Sequence, residues 1–179
     1  GTALCNSHEN VAIGYNTGKD MCGGDRNVLI GAAAGCKVGH GCFNTMLGHA
    51  AGLTSANVYG SVIIGYNTGR CNCGSNAILI GSCAGCGVSG SNSGSSVFIG
   101  GCSGCAITSG ANNVYVGANS GKSTTTGSNN TVFGAEGLYS NTTGSHNVAM
   151  GSSAGCTITS GSGNVLIGNC QQVSSVTGN

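Results

Sequence analysis

The cysteine thiols are the side chains of this sequence best able to do chemistry. There are twelve of them in 179 residues, beside four carboxylates and five Lys or Arg side chains. Thiols can pair into disulfides, ligate a metal ion or stay as free thiols. An even number of cysteines in a glycine-rich chain favours disulfides and an oxidising compartment.

One pair of motifs offers a competing interpretation. Cys83-x-x-Cys86 is followed, after fifteen residues, by Cys102-x-x-Cys105, which is the spacing of a structural zinc site with four cysteine ligands. The same spacing also results from an internal repeat, because each of the first two cysteines recurs at an equivalent place nineteen residues later. Disulfides are therefore favoured, with zinc and free thiols as the alternatives.

A repeat of about 17 residues positions these cysteines. Each copy contains a β-branched residue, two mostly apolar residues and a glycine, and Asn usually precedes them. The ten anchor glycines are 17 residues apart except for one spacing of 16 and one of 19: Gly14, Gly31, Gly48, Gly65, Gly81, Gly100, Gly117, Gly134, Gly151 and Gly168. Positions are counted from the anchor glycine as zero.

The repeat predicts an all-β fold, a parallel β-solenoid in which each copy forms one coil. Position minus three is β-branched in all ten copies, which is a strand preference. Glycines near plus four and plus ten predict corners, since glycine adopts positive φ without penalty. We expect ten coils in one domain over residues 1–179, with a second, weaker strand in each coil, as at 156–159. Coils about 4.8 Å apart give a rod on the order of 45–50 Å long, with the minus-four asparagines hydrogen-bonded up the stack.

Stacking brings cysteines at the same position of adjacent coils into disulfide range, because neighbouring parallel strands are about 4.8 Å apart. The pairs predicted on this basis are Cys5–Cys22, Cys83–Cys102 and Cys86–Cys105, with Cys156–Cys170 as a weaker diagonal pair.

The alternation of side chains along each strand predicts self-association. Positions minus three and minus one share one face of the strand, and position minus two lies on the other. If the first pair faces the interior, the outside carries a continuous apolar stripe, which marks an interaction surface. This predicted self-interface comprises Leu29, Met46, Ile63, Leu79, Phe98, Tyr115, Val132 and Leu166. The opposite orientation would expose even more apolar surface, so a homotrimer or a head-to-tail filament is expected in either case.

The rest of the composition argues against other partners. Only 5% of the residues are charged and the basic ones are scattered, so no nucleic-acid-binding face is predicted. No apolar run approaches the roughly 18 residues of a membrane span. Neither end has the polar capping repeat that solenoids normally use, so we expect a fibre segment or a subunit that stacks end to end. No cofactor, nucleic-acid partner or membrane insertion is predicted.

No arrangement typical of an enzyme is found. The carboxylates of Glu9, Asp20, Asp25 and Glu136 lie in different coils or at different positions, whereas glycoside hydrolysis needs a pair on one face. Four isolated histidines are expected to be solvated loop residues: His8, His40, His49 and His146. We therefore predict that the chain is not an enzyme.

Polar and aromatic surface positions suggest other contacts. Asn129 and Asn141 each begin an Asn-x-Thr sequon and are candidate glycosylation sites. Ice binding needs a regular threonine ladder, whereas position plus seven reads Met21, Val38, Ser55, Asn72, Val88, Ile107, Thr124, Asn141, Ile158 and Ser175. Carbohydrate binding would use exposed aromatics, but the five tyrosines do not share one position. Both functions stay as alternatives, with host-surface glycans as candidate partners.

The repeat resembles those of known surface fibres. Residues 134–151, GAEGLYSNTTGSHNVAMG, look like the repeats of tail-fibre-like proteins of phages and large algal viruses. Residues 10–14, NVAIG, resemble the head repeat of trimeric autotransporter adhesins. The resemblance implies a left-handed, trimeric β-roll at a cell or virion surface. We therefore expect an extracellular structural subunit of a fibre, filament or adhesin shaft.

Overall fold

The strands of the protein form one continuous parallel sheet. The computed structural model describes residues 6–71, 74–87 and 93–172. Ten strands of three residues follow one another: β1 (Val11–Ile13), β2 (Val28–Ile30), β3 (Thr45–Leu47), β4 (Val62–Ile64), β5 (Ile78–Ile80), β6 (Val97–Ile99), β7 (Val114–Val116), β8 (Thr131–Phe133), β9 (Val148–Met150) and β10 (Val165–Ile167). Each strand pairs with the next one along the chain, in the order β1 to β10. The predicted all-β solenoid is confirmed, and the described residues include no helix that could cross a membrane.

The irregular repeat spacings do not disturb the sheet. Val62 of β4 pairs with Ile78 of β5, and Ile78 pairs in turn with Val97 of β6. All three residues of each strand keep their equivalent partners across both steps. The shorter and the longer copy therefore differ only in the part of the coil outside the strand.

Among the residues that the structure describes, the second strand predicted in each coil is not formed. Residues 156–159 contain no strand, although neighbouring coils remain hydrogen-bonded on that side of the rod. The Thr125 N–H donates to the Thr142 carbonyl at 2.9 Å, for example. The chain turns too tightly there for a strand, and the coils are held together by turn-to-turn bonds instead.

Each strand ends at an anchor glycine whose backbone only glycine adopts readily. At Gly100 φ is 131°, and an added Cβ would lie 2.5 Å from the carbonyl oxygen of Gly117 in the next coil. Positions minus five and plus two also have positive φ, but they carry ordinary residues such as Phe43 (62°) and Cys102 (56°). Since such residues avoid this region by themselves, stacking of the coils must impose it.

Candidate functional site

From Leu29 onward the minus-two side chains fill the interior of the rod, whereas Ala12 of β1 is exposed. This finding corrects the predicted orientation of the strands. All members of the predicted self-interface are buried, with 0–4% of their surface exposed: Leu29, Met46, Ile63, Leu79, Phe98, Tyr115, Val132 and Leu166. Phe98 and Tyr115 stack in this core with 5.1 Å between ring centroids. The prediction that these residues form a self-interface is wrong.

Two features of the repeat explain why position minus two points inward. The minus-four asparagine lies on the same strand face, and its amide joins a ladder that is shielded from water. Asn27 is fully buried, and its backbone N–H and Nδ2 both donate to Asn10 Oδ1, at 2.8 and 3.0 Å. Across the coil, the plus-four glycine leaves room for the minus-two side chain, since a Cβ on Gly104 would lie 2.8 Å from the Phe98 ring. Because positions minus four and minus two share one strand face, the asparagine at minus four was the feature of the sequence that indicated this orientation.

The opposite strand face is apolar and open to solvent, and we call it the outer face. Each of its members is half-buried or exposed: Val11, Ile13, Val28, Ile30, Thr45, Leu47, Val62, Ile64, Ile78, Ile80, Val97, Ile99, Val114, Val116, Thr131, Phe133, Val148, Met150, Val165 and Ile167. Leu47 is 42% exposed and Phe133 45%. The sheet therefore presents two parallel ladders of mostly aliphatic side chains along its whole length.

Position plus seven, which was considered for contact with ice, lies inside the rod. Its described members are all buried: Met21, Val38, Ser55, Ile107, Thr124, Asn141 and Ile158. Asn72, Val88 and Ser175 lie outside the described residues. No ice surface could reach the buried part of this position, so its lack of a threonine ladder does not bear on ice binding.

Several aromatic side chains are exposed outside the core. His49 and Tyr66 stack at position plus one of adjacent coils, with 5.5 Å between ring centroids. Tyr66 is 57% exposed and Tyr15, at the same position three coils away, is 78% exposed. The stacked pair forms a small solvent-facing aromatic platform.

Five cysteines gather on the coils that follow β4, β5 and β6. Cys83 and Cys102 share position plus two, and Cys86 and Cys105 share position plus five. The Cys71 N–H donates to the Cys86 carbonyl at 3.1 Å, which places Cys71 beside this group. The pKa of the Cys86 thiol is raised to about 11, chiefly by burial and secondly by the neighbouring thiols of Cys83, Cys105 and Cys71. Burial also raises the pKa of Cys105.

Six cysteines of the predicted disulfides are thiols in the structure. They are Cys83, Cys86, Cys102, Cys105, Cys156 and Cys170, and their pairing stays a prediction. Stacking supplies the neighbours, whereas bond formation also needs an oxidant. The pair Cys5–Cys22 cannot be compared, because Cys5 lies outside the described residues.

The zinc alternative finds no support in the arrangement of these side chains. Within residues 6–71, 74–87 and 93–172, no group of three or more His, Cys, Asp or Glu side chains is placed to hold a metal ion. Cys83 and Cys102 lie in successive coils, as do Cys86 and Cys105. The spacing of the two Cys-x-x-Cys motifs follows from this stacking.

Alkaline pH is expected to destabilise the protein through the buried phenol and the half-buried thiols. Burial outweighs the hydrogen bonds with Thr124 and Asn130, which lower the pKa of Tyr115, and raises that pKa to about 12. A group whose folded pKa is raised gives up stability as pH increases from its unfolded to its folded pKa, here from about 9 for Cys86 and from about 10 for Tyr115. Full ionisation of Tyr115 costs about 2–3 kcal/mol.

Urea titrations between pH 8 and 11.5, in a reducing buffer, measure this loss. The Tyr115→Phe variant should lose less stability than the wild type above pH 10, and Tyr139→Phe, at a half-buried position, should follow the wild type. An identical decline for wild type and Tyr115→Phe would contradict the assignment.

The two sequons differ sharply in accessibility. Asn141 is fully buried, and its side-chain amide donates to the Gly144 carbonyl and accepts from the Gly144 N–H, each at 3.0 Å. The folded chain leaves no space for a glycan there, so the prediction at Asn141 is wrong. Asn129 is exposed, and its glycosylation stays a prediction.

Charged side chains form local contacts on the surface. Arg26 Nε lies 2.6 Å from Glu9 Oε2, and its guanidinium lies 5.5 Å from the centroid of the Phe43 ring. His8 Nδ1 lies 3.6 Å from Asp25 Oδ1. Each contact joins residues of adjacent coils, so these groups link the coils of the rod.

Comparisons with known proteins give no assignment. No family model matches the chain, and neither a curated protein nor a solved structure matches it. The function must therefore be inferred from the physical properties of the rod.

Proposed function

We propose that the protein is a structural subunit of an extracellular fibre, filament or adhesin shaft on a cell or virion surface. Its partners would be further copies of itself, in a homotrimer or a head-to-tail filament. The observation that carries this proposal is the complementarity of the two edges of the sheet. A ladder whose ends match each other can be lengthened by any further coil of the same kind.

The complementarity follows from the hydrogen bonds between coils. Within the rod, the N–H at position minus three donates to the minus-four carbonyl of the next coil, as Val148 does to Asn164 at 2.8 Å. The anchor glycine N–H donates backward to the minus-one carbonyl, as Gly168 does to Met150 at 2.7 Å. The Asn164 N–H donates backward to Asn147 Oδ1 at 3.0 Å.

The same pattern of hydrogen bonds determines which donors and acceptors each edge of the sheet presents. At the β10 edge, the Val165 N–H is a donor, and Ile167 O and Asn164 Oδ1 are acceptors. At the β1 edge, Asn10 O is the acceptor that the Val165 N–H of another copy would meet. The N–H groups of Gly14 and Asn10 are the donors at this edge. An additional coil at either edge, from this chain or another, would continue the sheet and the asparagine ladder.

Electron microscopy and light scattering of the chain test the proposal. A single rod of ten coils is on the order of 48 Å long, so filaments longer than this would support structural assembly. The Val165→Pro variant removes the edge N–H, and proline is tolerated at such a position because this N–H has no backbone partner among residues 6–71, 74–87 and 93–172. We expect Val165→Pro to shorten the filaments, whereas Val165→Thr, which keeps the N–H, should not. Compact single rods for the wild type at all concentrations would contradict the proposal.

Disulfides between coils would stabilise such a fibre outside the cell. Oxidation of Cys83 with Cys102 and of Cys86 with Cys105 would each release two protons and pass two electrons to dioxygen or a small disulfide. Each bond closes a loop of about 20 residues, which is typically worth roughly 3 kcal/mol. After air oxidation, peptide mapping without reductant should recover these two pairs. Predominantly mixed pairings would contradict the prediction that cysteines at the same position of adjacent coils form the disulfides.

Carbohydrate binding is a second candidate, favoured by the exposed stack of His49 and Tyr66. Aromatic faces are the usual platform for sugar rings, and glycans of a host surface would be the ligand class. A glycan array probed with wild type and Tyr66→Ala tests it, with Tyr139→Ala as the control. Ice binding remains an alternative through the outer face, and measurement of thermal hysteresis distinguishes it from assembly.

A further inference from the structure

The outer face is the largest surface feature that axial growth leaves unexplained. A parallel sheet is normally covered on both faces, yet one face of this sheet is open along all ten strands. Ile78 is 39% exposed, Phe133 45% and Met150 42%. We propose that the outer face is a docking surface for a second copy of the same chain, packed sheet on sheet.

The size of the outer face matches what a stable complex buries. Two ladders of ten side chains, each leaving on the order of 50 Å² open, amount to on the order of 1,000 Å². A standard interface buries about 800 Å² on each partner. The largest apolar patch of a typical monomer is only about 300–600 Å². The outer face is therefore large enough to form a stable interface without contributions from the rest of the rod.

The chemistry of the outer face selects a partner that is equally apolar. None of its members is charged, and the only polar ones are Thr45 and Thr131. The nearest charged residues, such as Arg26 and Glu136, lie at corner positions outside the strands. A charged partner would lose hydration without gaining an ion pair. A partner whose own surface is apolar has no charged groups to dehydrate.

The geometry of the outer face selects a partner with the same length and spacing. Its side chains recur with each coil, about 4.8 Å apart, for nearly the whole length of the rod. A second copy supplies an apolar strip with this repeat distance. Two identical strips can pair through a two-fold axis, with the sheets about 10 Å apart. A second copy is therefore the occupant that fits without any further assumption about the partner.

Sedimentation velocity over a range of concentrations tests the proposal directly. The wild type should sediment as particles of two or more chains of 17.2 kDa. With end-to-end growth blocked by Val165→Pro in every chain compared, the double variant Ile78→Lys with Phe133→Lys should pair at least tenfold more weakly, because each buried lysine would lack a counter-ion. The control, Ser109→Lys with Thr143→Lys, adds the same charge at exposed positions away from the outer face and should associate like the wild type.

A second variant separates loss of the interface from loss of the fold. Val62, Val97, Val114 and Val148 can all be replaced by Thr, which keeps the β-branched shape and which the chain already carries at the equivalent positions 45 and 131. This fourfold variant should retain the far-ultraviolet circular dichroism of the wild type and weaken association. Unchanged association of both face variants would overturn the proposal, as would a wild type that remains a single chain up to millimolar concentration.

Side-by-side docking and end-to-end growth can fail independently. Val165→Pro should block lengthening but leave rods paired, whereas the face variants should give filaments of single width. Paired rods that never lengthen would support the docking surface and contradict the filament. Single-width filaments for the wild type would support the filament and contradict the docking surface.

Discussion

Gly100→Ala is expected to destabilise the protein by on the order of 4 kcal/mol or more. The backbone of Gly100 has φ of 131°, and an added Cβ would lie 2.5 and 2.6 Å from the carbonyl oxygen and carbon of Gly117. Neither contact can be relieved by a rotamer change, because both atoms belong to the backbone of the next coil. Relief would require the coils to separate, which would break the sheet between β6 and β7. Chemical unfolding monitored by circular dichroism measures the effect.

The neighbouring residue provides a matched control. Gly101 has no positive φ, and the nearest heavy atom to its added Cβ is Ser82 O, at 4.0 Å. Gly101→Ala should be neutral or stabilise the fold by about 0.4–1 kcal/mol, because it restricts the unfolded chain. Alanine already occupies this position in other coils, as at Ala118. If both alanine variants lose similar stability, the close approach of the anchor glycines does not determine the stability of the rod.

Asn130→Ala is expected to cost about 3–5 kcal/mol, because it interrupts a fully buried amide ladder. Asn130 Nδ2 donates to Asn113 Oδ1 at 3.1 Å and to Gly144 O at 2.9 Å. Asn130 Oδ1 accepts from the backbone N–H and the Nδ2 of Asn147, each at 3.0 Å. The truncation leaves these partners without water to replace the lost bonds.

Two further variants calibrate the loss at position 130. Asn130→Ser should lose about half as much as Asn130→Ala, because a hydroxyl can accept from the next coil, as Ser96 Oγ does from the Asn113 N–H at 3.1 Å. Asn129→Gly should have little effect, since residue 129 is exposed with φ of 59°. Amide hydrogen exchange of the coils around β8 locates the damage, and equal exchange in Asn130→Ala and wild type would contradict the role of the ladder.

The strands and the corners could be predicted from the sequence because both depend on local properties. Every observed strand spans positions minus three to minus one, where β-branched and apolar residues recur. Every anchor glycine adopts the positive φ for which glycine is needed. The ladder of minus-four asparagines was also predicted, since identical residues at a fixed period must stack when the coils do.

The candidate sites could not be predicted in the same way, because they depend on contacts across the coil. Asn141 reads as a sequon, yet its amide bonds to the backbone of Gly144 inside the rod. Position plus seven was considered as a surface position that could contact ice, yet Ile107 and Thr124 are fully buried. Nothing in the local sequence distinguishes a corner that turns its side chain inward from one that turns it outward.

The sequence by itself determined the repeat, the number of coils, their parallel stacking and the residues that share each strand face. Only the tertiary structure decided which of the two strand faces lies inside. Alternation with a period of two is unchanged when a strand is turned over, and both faces here are apolar, so hydrophobicity could not make the choice. The choice follows from the narrow interior, where large side chains such as Phe98 and Tyr115 need a glycine opposite them and the asparagine amides need a dry environment.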